Sequence, residues 1–536
     1  MASRNRSGPA GDGLARSWRV LLDLRPTFAL AAAWLTTAGH TSNFREMNAA
    51  RGWVYADGYS LHSIYLLTIA VTLLAAPDLV PRFGSYRLVV AGLVFLACGS
   101  AVNGIFLYAP LGLLEIGRVL AGIGSGLVIQ NAPRLHPPSR MSPVQWAGII
   151  LPATGPVLIG FVSYASEWSS WQGGFLFEGI LALIALAVIL SIAKPLAPEP
   201  EPFSSPGYWP VIAIGAVAVW YVMQWGQLHG WLEGPDIIAA LLVAAVALNA
   251  ALWLAWPRLN PAAMREGLPR LFLIVYGGFV QYFNASDMGV YGGLLVNFSP
   301  FMRSWLVVSL PIGAATAYAV ERFVWRTRSP GYAGAAFGLL VLAGGMAMSH
   351  RTTMNWPYWQ VLNTVEFNWF AAPQHWQLAP PRFLMGFGSA MVLLSMMRHA
   401  SRDPENEARI RPFLQVAQFS GGALSIGVLV TFLLIGHQIQ YSYAADRGFI
   451  QSVELDDRRH RLAEAFSSGG STQSDRQAET LLFRGVNYES DNLVFSEIYS
   501  GFLVASGALA GLCVLGWFVE REVDRLPGKP WRNGRT

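Results

Sequence analysis

The stretch at residues 117–126, "GRVLAGIGSG", places an arginine inside a run of leucine, isoleucine, valine, alanine, glycine and one serine. A second stretch, "PRFLMGFGSA" at residues 381–390, repeats it as Arg-x-Leu-x-Gly-x-Gly-Ser-small. Both lie in apolar segments of about 20 residues, the length that crosses the hydrocarbon of a bilayer as a helix. A guanidinium at the centre of such a helix costs on the order of 2.5–3.5 kcal/mol, so it faces the bundle interior, a wet cavity or a carboxylate. One chain carrying this costly pattern twice points to an internally repeated membrane unit.

Composition agrees. Of 536 residues, 53% are hydrophobic and only 13% charged, far more apolar than a water-soluble core requires. Lys194 and Lys529 are the only lysines, and the net charge of +5 is too small and scattered for nucleic-acid binding. Cys98 and Cys513 lie far apart in apolar stretches, which reads as two small buried hydrophobes and excludes a disulfide framework or cysteine metal site. The first 26 residues carry Arg4, Arg6, Arg16, Arg19 and Arg25 without a short apolar core and small-residue cleavage site, so they read as a retained tail.

Hydropathy predicts fourteen membrane spans, near residues 27–46, 59–77, 87–108, 111–131, 144–164, 174–194, 209–228, 236–256, 271–294, 302–320, 332–349, 379–397, 412–436 and 494–518. Alternate connections are rich in arginine: Arg82 and Arg87, Arg134 and Arg140, Arg258 to Arg270, Arg322 to Arg328, and Arg398 to Arg411. Basic residues accumulate in short cytoplasmic loops, so both termini are expected in the cytoplasm. The long hydrophilic excursion 437–493 then lies on the opposite face. Within it "FIQSVELDDRRHRLAEAF" has partial helical periodicity suited to docking, and "SSGGSTQS" reads as a flexible link.

The Pro-rich "PLAPEPEPFSSPG" after Lys194 divides the chain. The expected organisation is a tail (1–26), a six-helix bundle (27–194), a linker (195–208), two additional helices (209–256), a second six-helix bundle (271–518) and a C-terminal tail (519–536). The arginine pattern falls on the fourth span of each six, with both running in the same direction. Parallel six-helix repeats are the organisation of major facilitator transporters.

Local motifs carry a resemblance to the fourteen-helix drug:proton antiporter branch of that superfamily, the EmrB/QacA type. The loop "PDLVPRFGSYR" resembles the superfamily's gating loop after the second span and keeps Leu79, Arg82, Phe83, Gly84 and Arg87, with Pro81 where the family has an aspartate. Arg118, Gly122, Gly124 and Gly126 match the fourth-span arginine motif. "LPATGPVLIG" is similar to the antiporter motif, with Gly155, Pro156 and Gly160 in place and Ile159 for one glycine. "SSWQGGFLFEGI", "GQLHGWLEG" and "AQFSGGALSIG" resemble stretches around the sixth, seventh and thirteenth spans. The first-span aspartate of the family has no counterpart in "TTAGHTSNFREMN". The resemblance implies an all-α fold of two pseudo-symmetric bundles plus two helices, with proton-coupled efflux as the activity.

Glu115 precedes Arg118 by three residues, a spacing that puts both on one helical face. Such a pair either couples transport to protonation of the carboxylate or merely ties the fourth span to a neighbour. Glu178 in the sixth span and Asp287 in the ninth are further deep acids and proton-coupling candidates. Asp287 stands among Gln281, Tyr282 and Asn284 in "FVQYFNASDMG", a polar face that suits a substrate cavity or proton site if it is not a helix end at the interface. Arg382 joins the cavity candidates. Gly155 and Pro156 suit a hinge or a plain packing kink. His40, Arg45 and Glu46 are ambiguous, because they fall within the first span or just beyond its end. Gln224, Trp225, Gln227 and His229 read as an interfacial belt, and the aromatic "NWPYWQVLNTVEFNWF" either covers the outer mouth of the cavity or lies in the interface, the simpler reading.

The expected function is export of amphipathic organic compounds or drugs across a bacterial inner membrane in exchange for protons. The alternatives are an exporter of one endogenous metabolite or lipid, and a transport-incompetent sensor or scaffold. The expected partners are the lipid bilayer, a small amphipathic substrate, protons and, through the large outer loop, a periplasmic adaptor with an outer-membrane channel. No cofactor or metal is implied, and the nine histidines do not cluster with acids as a membrane enzyme would require.

Overall fold

The computed structural model describes residues 25–42, 44–106, 108–135, 142–165, 171–191, 207–255, 261–294, 300–325, 331–354, 375–400, 404–450, 459–460, 463–464 and 471–525. Most of the expected N- and C-terminal tails, most of the Pro-rich linker and the aromatic stretch 355–370 lie outside these residues, and residues 519–525 of the expected C-terminal tail continue the last helix.

The described residues form helices and turns with no strand. The first half contains α1 (Arg25–Leu35), α2 (Phe44–Arg51), α3 (Tyr55–Phe83), α4 (Ser85–Ile105), α5 (Leu111–Asn131), α6 (Ser142–Ala165) and α7 (Gln172–Leu190). The hairpin α8 (Trp209–Trp225) and α9 (Pro235–Ala255) follows. The second half contains α10 (Pro261–Leu294), α11 (Pro300–Val307), α12 (Ser309–Val324), α13 (Gly331–Met354), α14 (His375–Ala400), α15 (Pro404–Ile450) and α16 (Ser471–Arg525). Helices α9, α10, α11 and α15 each open on proline, whose fixed φ suits the first turn and whose missing N–H would have no partner there.

Ten of the fourteen expected segments coincide with helices long and apolar enough to cross a membrane, and the fifth and seventh lie on shorter apolar helices, Ala147–Ser163 and Trp209–Trp225. The ninth forms the long but polar α10. The first departs from expectation. α1 ends at Leu35, and a short turn, Gly39–Ser42, precedes α2. The hydroxyls of Thr36, Thr37 and Thr41 each donate to a carbonyl three residues back, at Ala33, Trp34 and Ala38. These local bonds compete with the helical ladder and replace it. Irregular backbone is tolerated at membrane depth only inside protein, and Thr36, Thr37, His40 and Thr41 are all buried.

Helix packing repeats between the halves. α5 packs on α3 and α4, and α4 on α7; α14 packs on α12 and α13, and α13 on α16. The halves meet where α3 lies on α15 and where α6 lies on α11 and α12. The glycines of the repeated motif enable the close crossings. A Cβ on Gly122 would strike Thr68 and the Tyr65 carbonyl of α3, and one on Gly386 would strike the backbone of Leu310 in α12.

Cys513 is buried, but Cys98 is exposed on α4 because it points away from the helix's packed face. Gln224 corrects the interfacial-belt expectation. It is buried, donates to the Ala56 carbonyl at 2.6 Å and accepts from Ser63 at 3.2 Å, thereby fixing α8 to α3. The excursion 437–493 is helical at both ends, as continuations of α15 and α16. Helix α16 begins at Ser471, within the stretch expected to be a flexible link. At ~1.5 Å per residue, the 47 residues of α15 and 55 of α16 far exceed a bilayer core of ~30 Å.

Candidate functional site

Each half holds a buried arginine centre. In the first, Arg118 of α5 reaches Glu178 of α7, with Nη1 2.9 Å from Oε2. His40, in the unwound segment after α1, places Nε2 2.7 Å from the other carboxylate oxygen of Glu178. Ser100 of α4 donates to Oε2 at 3.2 Å. The close approach at Gly122 sets the Tyr65 ring of α3 against the guanidinium, 3.9 Å from ring centroid to Cζ. The Tyr65 hydroxyl joins Thr36 and Ser125, each at 2.7 Å. His40 stacks on Phe175 with centroids 3.7 Å apart. Arg118, Glu178 and His40 are at most 3% exposed, so the group is sealed from both solvents.

The second centre has the same arginine with different partners. Arg382 of α14 pairs with Asp287 of α10 and donates to the Tyr499 hydroxyl of α16 at 2.8 Å. That hydroxyl in turn donates to the Asp287 carboxylate at 2.8 Å. All three residues are at most 1% exposed. In both halves the arginine is on the fourth span, with partners from the first and sixth.

The expected Glu115–Arg118 pairing is not the one the structure makes. Arg118 turns into the bundle towards Glu178, while Glu115, one turn nearer the helix start and half-buried, accepts from Ser60 at 2.9 Å. The spacing puts both residues on one face, but the buried carboxylate of α7 lies deeper on the side to which Arg118 extends.

The cavity candidates lie where the halves meet. Gln281 donates to the Ile149 carbonyl at 2.9 Å and accepts at 2.8 Å from Gln418, which also donates to the Gly148 carbonyl. The Tyr282 ring packs near Phe419 and His62, and Trp34 stacks on Phe419 with centroids 5.0 Å apart. Asn284 is buried, and neither amide atom has a hydrogen-bond partner among the described residues. Thr41, beside His40, shares its hydroxyl proton between the Ala38 carbonyl and, at 2.8 Å, the carbonyl of Ala285, two residues before Asp287. One hydrogen bond therefore links the chain segments carrying the two charged centres. Arg303 of α11 and Glu46 of α2 form a further ion pair across the interface.

Arg82 and Arg87 are exposed at one end of the bundle, on either side of the turn at Gly84, whose φ of +77° favours glycine. We refer to this as the basic end. At Gly155 the backbone of α6 approaches the Leu35 carbonyl so closely that a side chain would clash. Pro156 sits within α6, which continues through it. Among the described residues no group of three histidine, cysteine or acidic residues could hold a metal.

Sequence reasoning missed Tyr499, Tyr65 and Ser100 and left His40 undecided. The repeat held the signal for Tyr499, because it contacts the arginine from the last span as Glu178 does from the sixth, although in the second half the carboxylate comes from Asp287 on the first span.

No family model matches the chain. It is 29% identical over 280 residues to the tetracenomycin C resistance and export protein of Streptomyces glaucescens, covering 49% of each chain. It is 22% identical over 414 residues to a protein of Citrobacter koseri named for multidrug resistance, MdtD, covering 73% of this chain and 80% of that one. The match to the Salmonella heidelberg MdtD is 24% identical and covers 58% of that protein. The chain thus spans about half the length of the first of these curated relatives. Among solved structures, it superposes on the POT family transporter PepTSo with a TM-score of 0.54 at 15% identity, covering 90% of this chain and 98% of that one. It superposes on an auto-inhibited POT family peptide transporter with a TM-score of 0.51 at 15% identity, covering 89% and 96%. The first relative is named for resistance and export, the MdtD proteins for multidrug resistance, and both solved structures as transporters. The chain is a multi-pass membrane protein with the major facilitator fold, similar in sequence to proteins named for drug resistance and export.

Proposed function

We propose that the protein is a secondary transporter that exports amphipathic organic compounds across a bacterial inner membrane in exchange for protons. The two halves rock about the central interface, and both termini are cytoplasmic. The observation that carries this reading is the sealed Arg118–Glu178–His40 group.

With His40 neutral, the group holds one cation and one anion. A proton taken up by His40 adds a second positive charge beside a single carboxylate; a proton taken up by Glu178 leaves Arg118 without its counter-ion. Either event is costly in a dry site and cheaper in a wet one, so protonation favours a state in which the group meets water. A pair of states with different proton affinity is what coupling requires. The aromatic and amide groups of Trp34, Tyr282, Phe419, Gln281 and Asn284 supply the lining for an amphipathic substrate. The export and resistance named for the relatives support the direction of transport, and the projecting ends of α15 and α16 supply a surface for a periplasmic adaptor.

The test uses everted vesicles or proteoliposomes containing the full chain and a panel of fluorescent amphipathic compounds. An imposed proton gradient is expected to drive accumulation that collapses with a protonophore. Absence of gradient-dependent movement across the panel overturns the proposal.

A further inference from the structure

The hydrogen bonds that tie α8 to the six-helix halves come from its second half. Trp220 donates to Ser63 at 2.8 Å, Gln224 to the Ala56 carbonyl at 2.6 Å, and Thr431 of α15 donates to the Met223 carbonyl at 3.3 Å. Helix α9 packs chiefly on α8 and is otherwise largely unburied. The α8–α9 hairpin is therefore attached at one end. Towards the basic end α8 diverges from α3 and leaves a groove of about 660 Å³.

Its walls are apolar. Leu67, Val71 and Ala75 of α3 face Ala213 and Val217 of α8, with further apolar residues of α4 and α5 forming the floor. At the basic end the groove meets Arg87, which is exposed and pairs with no carboxylate among the described residues. Trp209, a residue type suited to headgroup depth, stands at the same mouth. The groove thus runs from an unpaired guanidinium into hydrocarbon-like walls.

We propose that this groove binds one anionic glycerophospholipid from the leaflet at the basic end, its acyl chains between α3 and α8 and its phosphate on Arg87. The walls suit acyl chains because an empty apolar wedge of this size forfeits the dispersion contacts of every lining side chain. They do not distinguish headgroups. Arg87 does, because a guanidinium offers paired donors matched to phosphate oxygens and has no carboxylate competing for them. The bound lipid completes the contact between the hairpin and the first half where protein contacts stop. This site is separate from the central charged groups, and its occupancy does not depend on the transport reading.

The purified full chain is equilibrated in detergent with equal amounts of phosphatidylglycerol and phosphatidylcholine, and retained lipid is counted by native mass spectrometry. The unaltered protein is expected to retain one phosphatidylglycerol in preference to phosphatidylcholine. Arg87→Gln should lower that preference about fivefold, the factor expected for losing one basic contact to anionic lipid. Arg82→Gln, which removes the same charge outside the groove, should leave it intact. Ala213→Trp should expel both lipids by filling the groove, with Val217→Phe as the second filling variant if the first does not fold. Equal retention of the two lipids, retention of neither, equal loss in Arg82→Gln and Arg87→Gln, or full retention in a folded filling variant each overturns the proposal.

Discussion

The two halves place the same arginine on the same span and surround it differently. Arg118 shares a carboxylate with an imidazole, whereas Arg382 shares one with a phenol. His40 is the only one of the two extra partners whose ordinary titration range lies near neutral pH. The second centre therefore reads as a fixed neutral lock, and the first as a lock with a proton-accepting group built into it. Divergence of one repeated site into these two forms teaches that charge neutralisation is common to both halves, while an imidazole beside the carboxylate is present in one.

The largest expected effect breaks the lock. Arg382→Ala leaves the Asp287 carboxylate buried without its cation and should lower stability by about 3–5 kcal/mol, read as a fall in thermal unfolding midpoint in detergent. Adding Asp287→Leu with Arg382→Met should recover most of that loss, because a well-packed apolar pair replaces a buried ion pair at little net cost. If the double variant stays as unstable as Arg382→Ala, the pair is not the source of the effect. The next effect sharpens the contrast between the halves. His40→Gln keeps a hydrogen-bonding side chain for Glu178 but removes the titrating ring. Gradient-driven accumulation in proteoliposomes should drop to the level without a gradient, while exchange of substrate down its own gradient continues. Unchanged proton-driven accumulation would remove His40 from coupling and make the two halves equivalent.

Much of this architecture is legible in the amino-acid sequence. The repeated Arg-x-Leu-x-Gly-x-Gly-Ser pattern is a strong signal because arginine and glycine are both costly in apolar helices, so their co-occurrence at fixed spacing marks a specific crossing. It locates Arg118 and Arg382 on equivalent spans, and depth along the spans locates Glu178 and Asp287. Partnership is not legible. Helical spacing reports neighbours within one helix, and Glu115 is the obvious candidate on that basis, but the carboxylate that reaches Arg118 is 60 residues away on another helix. The break after Leu35 is also hidden. Three threonines in an apolar run look like tolerable polar residues of a span, and only the fold shows their hydroxyls turned back on the main chain. That break is what brings His40 to Glu178.

Smaller changes test whether the second centre is only structural. Tyr499→Phe removes two hydrogen bonds to a charged pair, one accepted from Arg382 and one donated to Asp287, each worth about 1.5–3 kcal/mol, and leaves the ring over Arg382. Thermal stability should fall by that order while the dependence of transport on the proton gradient keeps its form. A change in that dependence would show that the second centre also exchanges protons, and the division of labour between the halves would be lost.

The smallest effect concerns the bond between the segments that carry the two centres. Thr41→Val deletes the hydroxyl whose single proton is shared between the Ala38 carbonyl at 2.9 Å and the Ala285 carbonyl at 2.8 Å, while preserving the side-chain shape. A neutral hydrogen bond contributes about 1 kcal/mol, which is a roughly fivefold change in a two-state equilibrium. In the rocking motion proposed above this bond breaks when the halves separate, so its loss should favour the separated state by about that factor. Spin labels on the exposed positions Phe83 and Phe323, one in each half, would report the change as a redistribution of distances, with little change in unfolding midpoint. A lowered midpoint with an unchanged distance distribution would assign Thr41 to the stability of the unwound segment alone. The first-half centre and the second would then communicate through packing, without a hydrogen bond between their segments.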